Sequence, residues 1–271
     1  MKTIKKVYLG LMLFFMYAPI IVLMVFSFNE SKSRANWTGF TLKWYVELFR
    51  DPNIMRALST TFTIAVLSAL IATVLGTAAA IGIDTMRPFN KKVLMTVTNI
   101  PVVNPDIVTG VSLMILYLFM FRFVFSGFEL GYTTLLLAHV SFNTPYVILS
   151  VLPKLRQMDG NLYEAALDLG ASPLTGFFRV VMPEIMPGIV TGAMLAFTMS
   201  LDDFVVSFFT TGSGVDNLSV LIYSMARKGI NPKINALSTM MFIVVMTLLY
   251  LVNKNDINNR KKSDVLHEMD H

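Results

Sequence analysis

The sequence predicts an all-α integral membrane protein with six transmembrane helices and both termini in the cytoplasm. Three observations carry that prediction: charged residues are scarce, apolar residues collect in six long runs, and basic residues favour alternate ends of those runs. Charged residues make up 14% of the 271-residue chain and hydrophobic residues 55%, whereas a soluble domain is about a quarter charged. Mean hydropathy is +0.63, which makes lipid the expected solvent for much of the surface.

A hydrocarbon core of about 30 Å needs roughly 20 mainly apolar residues in a helix. Runs that meet this lie at residues 7–28, 58–83, 93–121, 132–152, 184–209 and 236–253. Lipid offers the backbone no hydrogen-bond partner, so each run is expected to close its own bonds as a helix. The first run follows Lys2, Lys5 and Lys6, as the core of a secretory signal would. Its apolar part exceeds the roughly 7–15 residues of such a core and no A-x-A site follows, so it reads as a retained span.

Orientation comes from the short loops. Arg87, Lys91 and Lys92 follow the second run, Lys154, Arg156 and Arg179 the fourth, and Lys254, Arg260, Lys261 and Lys262 the sixth. With the N-terminal lysines, 13 of the 22 basic residues fall on one side, and the positive-inside rule makes that side cytoplasmic. The outer side then receives residues 29–56, where Trp37, Trp44 and Tyr45 suit an interface, and residues 212–235; each is open to a surface helix or a plain loop. The charged tail after Asn253 is expected to fray. The whole of 1–271 reads as one membrane domain, with a cytoplasmic loop over 153–183.

Other classes are excluded by what the chain lacks. There is no cysteine, hence no disulfide framework and no thiolate metal site. The net charge of +5 forms no basic stripe, so no nucleic-acid partner is expected. No G-x-x-x-x-G-K-[ST] occurs, so the chain offers no P-loop for a nucleotide, and no cofactor is expected. His139 and Asn143 share a helical face, but no further His or Cys is placed to complete a metal site. Interhelical hydrogen bonding is their expected role. Gly188 and Gly192, with Ala196 on the same stripe, and the run Gly76, Ala78, Ala79, Ala80 and Gly82 read as close helix packing.

The loop at 153–183 is too long for a simple reversal. Residues 155–169 are helix-compatible, with Leu162, Ala165, Ala166 and Leu169 on one face. Gly170 supplies a residue that tolerates the left-handed conformation ending many helices. Ser172 is a good N-cap and Pro173 a good first helical residue. Helix, sharp turn and short helix follow in order, with Pro183 before the next span. Such a helical elbow, with small residues Ala165 and Ala166 between charged Glu164 and Arg179, is shaped to dock in another protein's groove.

Glu164, Ala165, Ala166 and Gly170, with Val180, Val181, Met182 and Pro183 beginning after nine intervening residues, resemble the EAA motif of permease subunits of ABC importers. Val180 and Met182 depart from the motif's Ile and Leu but remain apolar. The resemblance covers nearly the whole chain: "YAPIIVLMVFSFN", "GFTLKWY", "NPDIVTGVSL", "SLDDFVVSFFTTG" and "LIYSMARKGINPKINAL" are similar to the PotC type of permease in spermidine/putrescine importers. It implies a type I ABC importer permease fold in a bacterial inner membrane. It also implies that Glu164, Ala165, Ala166, Gly170, Ser172 and Pro173 form a coupling element held by a cytoplasmic ATPase. The implied assembly adds a pair of ATPase subunits, a second homologous permease and an extracytoplasmic polyamine-binding protein.

Acidic residues inside spans cost about 2.5–3.5 kcal/mol on insertion scales, so each marks a site. Asp106, beside Pro105, and Asp202 and Asp203, toward the outer end of the fifth run, suit a path for a polycation. Phe204, Phe208 and Phe209 stand near to supply cation–π faces. The alternative for each aspartate is a structural ion pair or a helix cap. The chain is thus expected to be a transport subunit for polyamine without chemistry of its own; another small solute is the alternative cargo. An ion-coupled transporter would show paired halves, which the sequence lacks, and would leave the elbow unexplained. An intramembrane aspartyl protease would need facing carboxylates, whereas neighbours on a helix diverge by about 100°.

Overall fold

A computed structural model of the chain describes residues 2–32, 36–123, 129–212, 214, 215, 217–229 and 232–247. Among these the architecture is helical, the one strand-like feature being an isolated antiparallel bridge between Asn29 and Phe40. Five helical stretches are long and apolar enough to cross a membrane: Lys5–Phe26, Pro52–Asp84, Asp106–Phe123, Tyr132–Gln157 and Pro173–Asp202. The sixth expected run corresponds to the shorter apolar helix Pro232–Thr247. Residues 248–253 of that run, Lys254, Arg260, Lys261, Lys262 and the rest of the tail lie outside the described residues, as do Ser213, Asp216, Ile230 and Asn231 of the second outer segment.

The chain divides into two compact units, one drawn from Met1–Met55 and Ile222–His271, the other Arg56–Leu221. In the first, α1 (Lys2–Phe26) is apolar around its circumference and leaves its large side chains exposed. Beyond it the chain turns back on itself: Glu30 N–H bonds Gly39 O at 3.0 Å and Thr41 N–H bonds Phe28 O at 2.8 Å. Asn29 organises this turn, its amide donating to Asn36 O at 2.8 Å and accepting from Thr38 N–H at 3.1 Å. The short α2 (Lys43–Arg50) then docks Trp44, whose indole N–H donates to Asn29 O at 2.7 Å. Trp44 is therefore buried in the turn, where its polar edge finds a backbone partner, while Trp37 remains exposed.

The second unit is built on α3 (Pro52–Asp84), α6 (Tyr132–Gln157) and α9 (Met182–Asp202). Ser68, His139 and Ser200 form one layer of their packing, with Ser68 and Ser200 hydroxyls 3.0 Å apart. Gly76, Val147 and Gly192 form another: a Cβ on Gly76 would lie 2.6 Å from Val147 Cβ, and one on Gly192 3.1 Å from Val147 Cα. Gly188, one turn earlier in α9, meets Val151, one turn later in α6. The numbering rises together in α3 and α6 and oppositely in α9, so α6 is parallel to α3 and antiparallel to α9. In lipid, where burial of apolar surface gives no drive, such close backbone approach is what joins helices. The expected packing role of Gly188, Gly192 and Ala196 is met, as it is for Gly76 and Ala80; Ala78 is exposed and a Cβ on Gly82 would meet nothing within 4 Å.

Two expected spans are broken. The run 93–121 is divided between α4 (Pro88–Val103) and α5 (Asp106–Phe123). Pro105 disfavours helical geometry in the residue before it, and Asn104 is extended, with ψ 142°. The run 184–209 ends as a helix at Asp202; Asp203 is extended, with ψ 127°, and a short α10 (Val205–Thr210) follows. After α10, helix α11 (Leu218–Arg227) gives the segment 212–235 its order, and Pro232–Thr247 is α12.

Candidate functional site

Both breaks open onto the same place. A cavity of about 360 Å³ in the second unit is lined by Pro101, Asp106 and Thr109 on one side and by Thr198, Met199, Asp202, Asp203 and Phe204 on another, with Phe142 and Tyr146 of α6 between them. Asp106 is the first residue of α5, itself a candidate span, at the point where the run 93–121 breaks. An acidic residue there complements the positive end of the helix. Asp202 ends α9, where the last carbonyls carry the negative end of that helix. Asp106 and Asp202 are both exposed to the cavity side of the chain.

Asp203 is held differently. Its Oδ1 accepts from Val206 N–H at 3.2 Å and its Oδ2 from Ser207 N–H at 2.7 Å. The carboxylate so caps α10, and its side chain is only 9% exposed. This capping is the physical reason that the helix breaks without proline or glycine: two backbone donors that α9 would otherwise have used are taken by a side chain.

Behind Asp203 lies a sealed polar layer. His139 is fully buried, with Nδ1 2.5 Å from Ser200 Oγ and Nε2 3.0 Å from Ser207 Oγ. Asn217 donates to Ser207 Oγ at 2.9 Å, and Asp203 Oδ2 stands 3.6 Å from His139 Nε2. The interhelical role expected of His139 is thus present. It is not present for Asn143, which is fully buried with neither amide atom hydrogen-bonded. Of the three phenylalanines, Phe204 borders the cavity, while Phe209 fills the α5–α10 contact against Gly110. Tyr146 and Phe142, four residues apart on α6, escaped the sequence reading; an aromatic pair one turn apart beside His139 and Asn143 is the signal that points to them.

The elbow lies within the same unit. The helix expected over 155–169 is interrupted at Met158, with ψ 138°, and resumes as α7 (Asn161–Asp168) after Asp159 accepts from Asn161 N–H at 3.0 Å. Gly170 has φ +86°. Gly170 N–H bonds Leu167 O at 2.9 Å and Ala171 N–H bonds Ala166 O at 3.1 Å, the paired bonds of a Schellman cap. Ser172 accepts from Thr175 N–H at 3.3 Å and Pro173 opens α8 (Pro173–Gly176), as expected. Pro183 then lies within α9 and not before it, because a π-turn over Phe177–Val181 carries α8 into α9 without a gap.

Of the face expected to carry Leu162, Ala165, Ala166 and Leu169, all but Ala166 are exposed. The Tyr163 ring packs on Gly176, 3.1 Å from where a Cβ would stand, and Leu167 packs beside it. That contact turns Tyr163, Ala166 and Leu167 inward, and Leu162, Glu164, Ala165 and Leu169 outward. Leu169 is 89% exposed and Leu174 72%. Of the predicted elbow residues, Glu164, Ala165, Gly170, Ser172 and Pro173 are exposed, beside the exposed apolar side chains Leu169 and Leu174, while Ala166 faces inward.

Residues 72–254 match the family described as the binding-protein-dependent transport system inner membrane component. The chain is 41% identical over 227 residues to the putrescine transport system permease protein PotI of Escherichia coli K12, covering 83% of this chain and 81% of that one. It is 37% identical over 235 residues to the spermidine/putrescine transport system permease protein PotC of the same organism, covering 87% of each. Among solved structures, a chain of a bacterial ABC transporter that imports the acidic polysaccharide alginate superposes with a TM-score of 0.69 at 20% identity, over 96% of this chain and 98% of that one. A chain of the MetNI methionine ABC transporter superposes with a TM-score of 0.61 at 18% identity, over 80% and 97%. At such identities the likeness establishes the fold.

Proposed function

The chain belongs to the family of binding-protein-dependent transport system inner membrane components, and from that membership we propose that it is the polyamine-conducting permease subunit of an ATP-driven importer in a bacterial inner membrane. The observation that carries the cargo reading is the cavity where Asp106, Asp202 and Asp203 meet Tyr146 and Phe204. It is supported by the putrescine and spermidine transport named for the two Escherichia coli relatives.

The chemistry of the cavity suits a flexible polycation. Asp106 and Asp202 are reachable carboxylates for ammonium groups, an exposed pair of this kind being worth about 0.2–1 kcal/mol. Tyr146 and Phe204 offer faces for cation–π contact of about 0.5–2 kcal/mol. The negative end of α9 adds to the attraction. In this reading six spans cross the membrane, α12 with its continuation serving as the sixth, and both termini are cytoplasmic.

The chain carries no nucleotide motif, so ATP is hydrolysed by partner subunits. The elbow, with Glu164, Ala165, Ala166, Gly170, Ser172 and Pro173, is the docking element for a cytoplasmic ATPase, two copies of which serve this chain and a second homologous permease. A polyamine-loaded extracytoplasmic binding protein docks on the outer segments. ATP-driven closure of the ATPase pair displaces the elbow, the spans open outward, and the cavity carboxylates compete with the binding protein for cargo.

The test is radiolabelled spermidine and putrescine uptake by vesicles containing the reconstituted complex, with wild type beside Asp106→Asn/Asp202→Asn. ATP-dependent uptake lost in the double variant supports cargo and path together. Unchanged uptake in the variant refutes the path, and an ATP-active complex that takes up neither amine refutes the cargo.

A further inference from the structure

We infer that His139 is a positioning residue for the cargo cavity: from the sealed side it fixes the helix break that presents Asp202 to cargo and holds Asp203 back as a cap. The inference rests on the reading of the cavity as the polyamine path. His139 itself is fully buried and does not border the cavity, so it cannot act by touching cargo.

Its two ring nitrogens reach both sides of the break. Nδ1 meets Ser200 at 2.5 Å, two residues before Asp202 in α9, and Nε2 meets Ser207 at 3.0 Å on α10. Of the six residues between, the five from Asp202 to Val206 border the cavity. A donor–acceptor direction exists that satisfies every member of the chain. Asn217 donates to Ser207, Ser207 to His139 Nε2, His139 Nδ1–H to Ser200, Ser200 to Ser68, and Ser68 to Ala65 O at 3.3 Å. A neutral imidazole has one donor and one acceptor on opposite sides, which is what a bridge across the break requires. The bridge ties α3, α6, α9 and α10 at the level where α9 stops. Of the three cavity aspartates, Asp203 is engaged by two backbone N–H groups and lies beside His139, while Asp106 and Asp202 are exposed. The layer therefore divides the acidic residues into one that shapes the site and two that serve it.

The test is a double-mutant cycle on ATP-dependent spermidine uptake by the reconstituted complex: Asp202→Asn, His139→Phe and the two combined, with His139→Gln as the conservative variant. Assembly and basal ATPase activity are followed in each. Loss of an interhelical bridge of this kind is expected to lower uptake about tenfold. In the Asp202→Asn background the same substitution should cost less than about twofold, since a positioning residue acts through the group it positions. His139→Gln, which keeps a donor and an acceptor, should recover most of the loss. Where His139→Phe fails to assemble, Ser207→Ala removes one arm of the bridge and carries the same cycle. Losses that multiply, or normal uptake by His139→Phe while Asp202→Asn is impaired, overturn the inference alone. Normal uptake by Asp202→Asn overturns the path reading, and this inference with it.

Discussion

Replacing one glycine by alanine at two positions in the same unit should change stability in opposite directions. A Cβ on Gly188 would stand 2.8 Å from Ser150 O and 3.2 Å from Val151 Cα, both backbone atoms of α6. Ordinary contact begins at 3.4 Å, so Gly188→Ala requires α9 and α6 to separate by about 0.6 Å at their closest approach, or to rotate. Overpacking of this kind costs about 1–3 kcal/mol, against a gain of about 0.5–1 kcal/mol from replacing glycine inside a helix. At mid-range values the net loss is about 1 kcal/mol. Gly82 lies in α3 with nothing within 4 Å of its would-be Cβ, so Gly82→Ala should keep the propensity gain without the clash. Reversible unfolding of the purified protein in mixed detergent–denaturant micelles measures both. The wild type should fall between the variants, with Gly188→Ala the least stable. If Gly188→Ala is as stable as Gly82→Ala, the α6–α9 approach is not as close as described, and the layered packing of the second unit is wrong.

Two further substitutions test other parts of the fold. Asn143→Leu keeps the branching of the side chain but removes a buried amide without partners, a group that costs about 1–3 kcal/mol; thermal melting in detergent should show equal or higher stability, and a clear fall would mean that Asn143 is bonded. Gly170→Val places a β-branched side chain at φ +86°, a strain of about 1–2 kcal/mol; the α7–α8 turn should loosen, so that ATP hydrolysis by the assembled complex continues while uptake falls, and uptake at the wild-type rate would refute the role given to that turn.

What could be read from the sequence depended on how far apart the informative residues lie. The elbow caps were legible because Gly170, Ser172 and Pro173 act within a few residues of one another and each has a local reason for its place. The orientation of α7 was not, since it is set by Tyr163 packing on Gly176 from across the turn. The break at Pro105 had a visible cause, yet hydropathy stays high on both sides, and a proline within an apolar run is also compatible with a continuous span. The break at Asp203 had no such mark; only its carboxylate, seen bonded to Val206 and Ser207, explains it. His139 was read correctly as an interhelical donor or acceptor, but Ser200 and Ser207 lie 61 and 68 residues away, beyond the reach of any local pattern. The cavity aspartates were found because charge in an apolar run is conspicuous, while Tyr146 and Phe142 were hidden among other apolar residues.

The π-turn over Phe177–Val181 has a mechanical consequence. By joining α8 to α9 without a gap it makes Pro173–Asp202 one rod of 30 residues, about 45 Å long at 1.5 Å per residue. Pro173 is at one end of this rod and Asp202 at the other. A rod of that length pivoting near its middle converts a push at one end into an opposite sweep of similar size at the other, much as a rocker arm does. A tilt of about 5° swings each tip by roughly 2 Å at that length. No relay of side chains is needed for the two ends to move together; the π-turn and the prolines at 183 and 187 interrupt the regular hydrogen bonding of the rod.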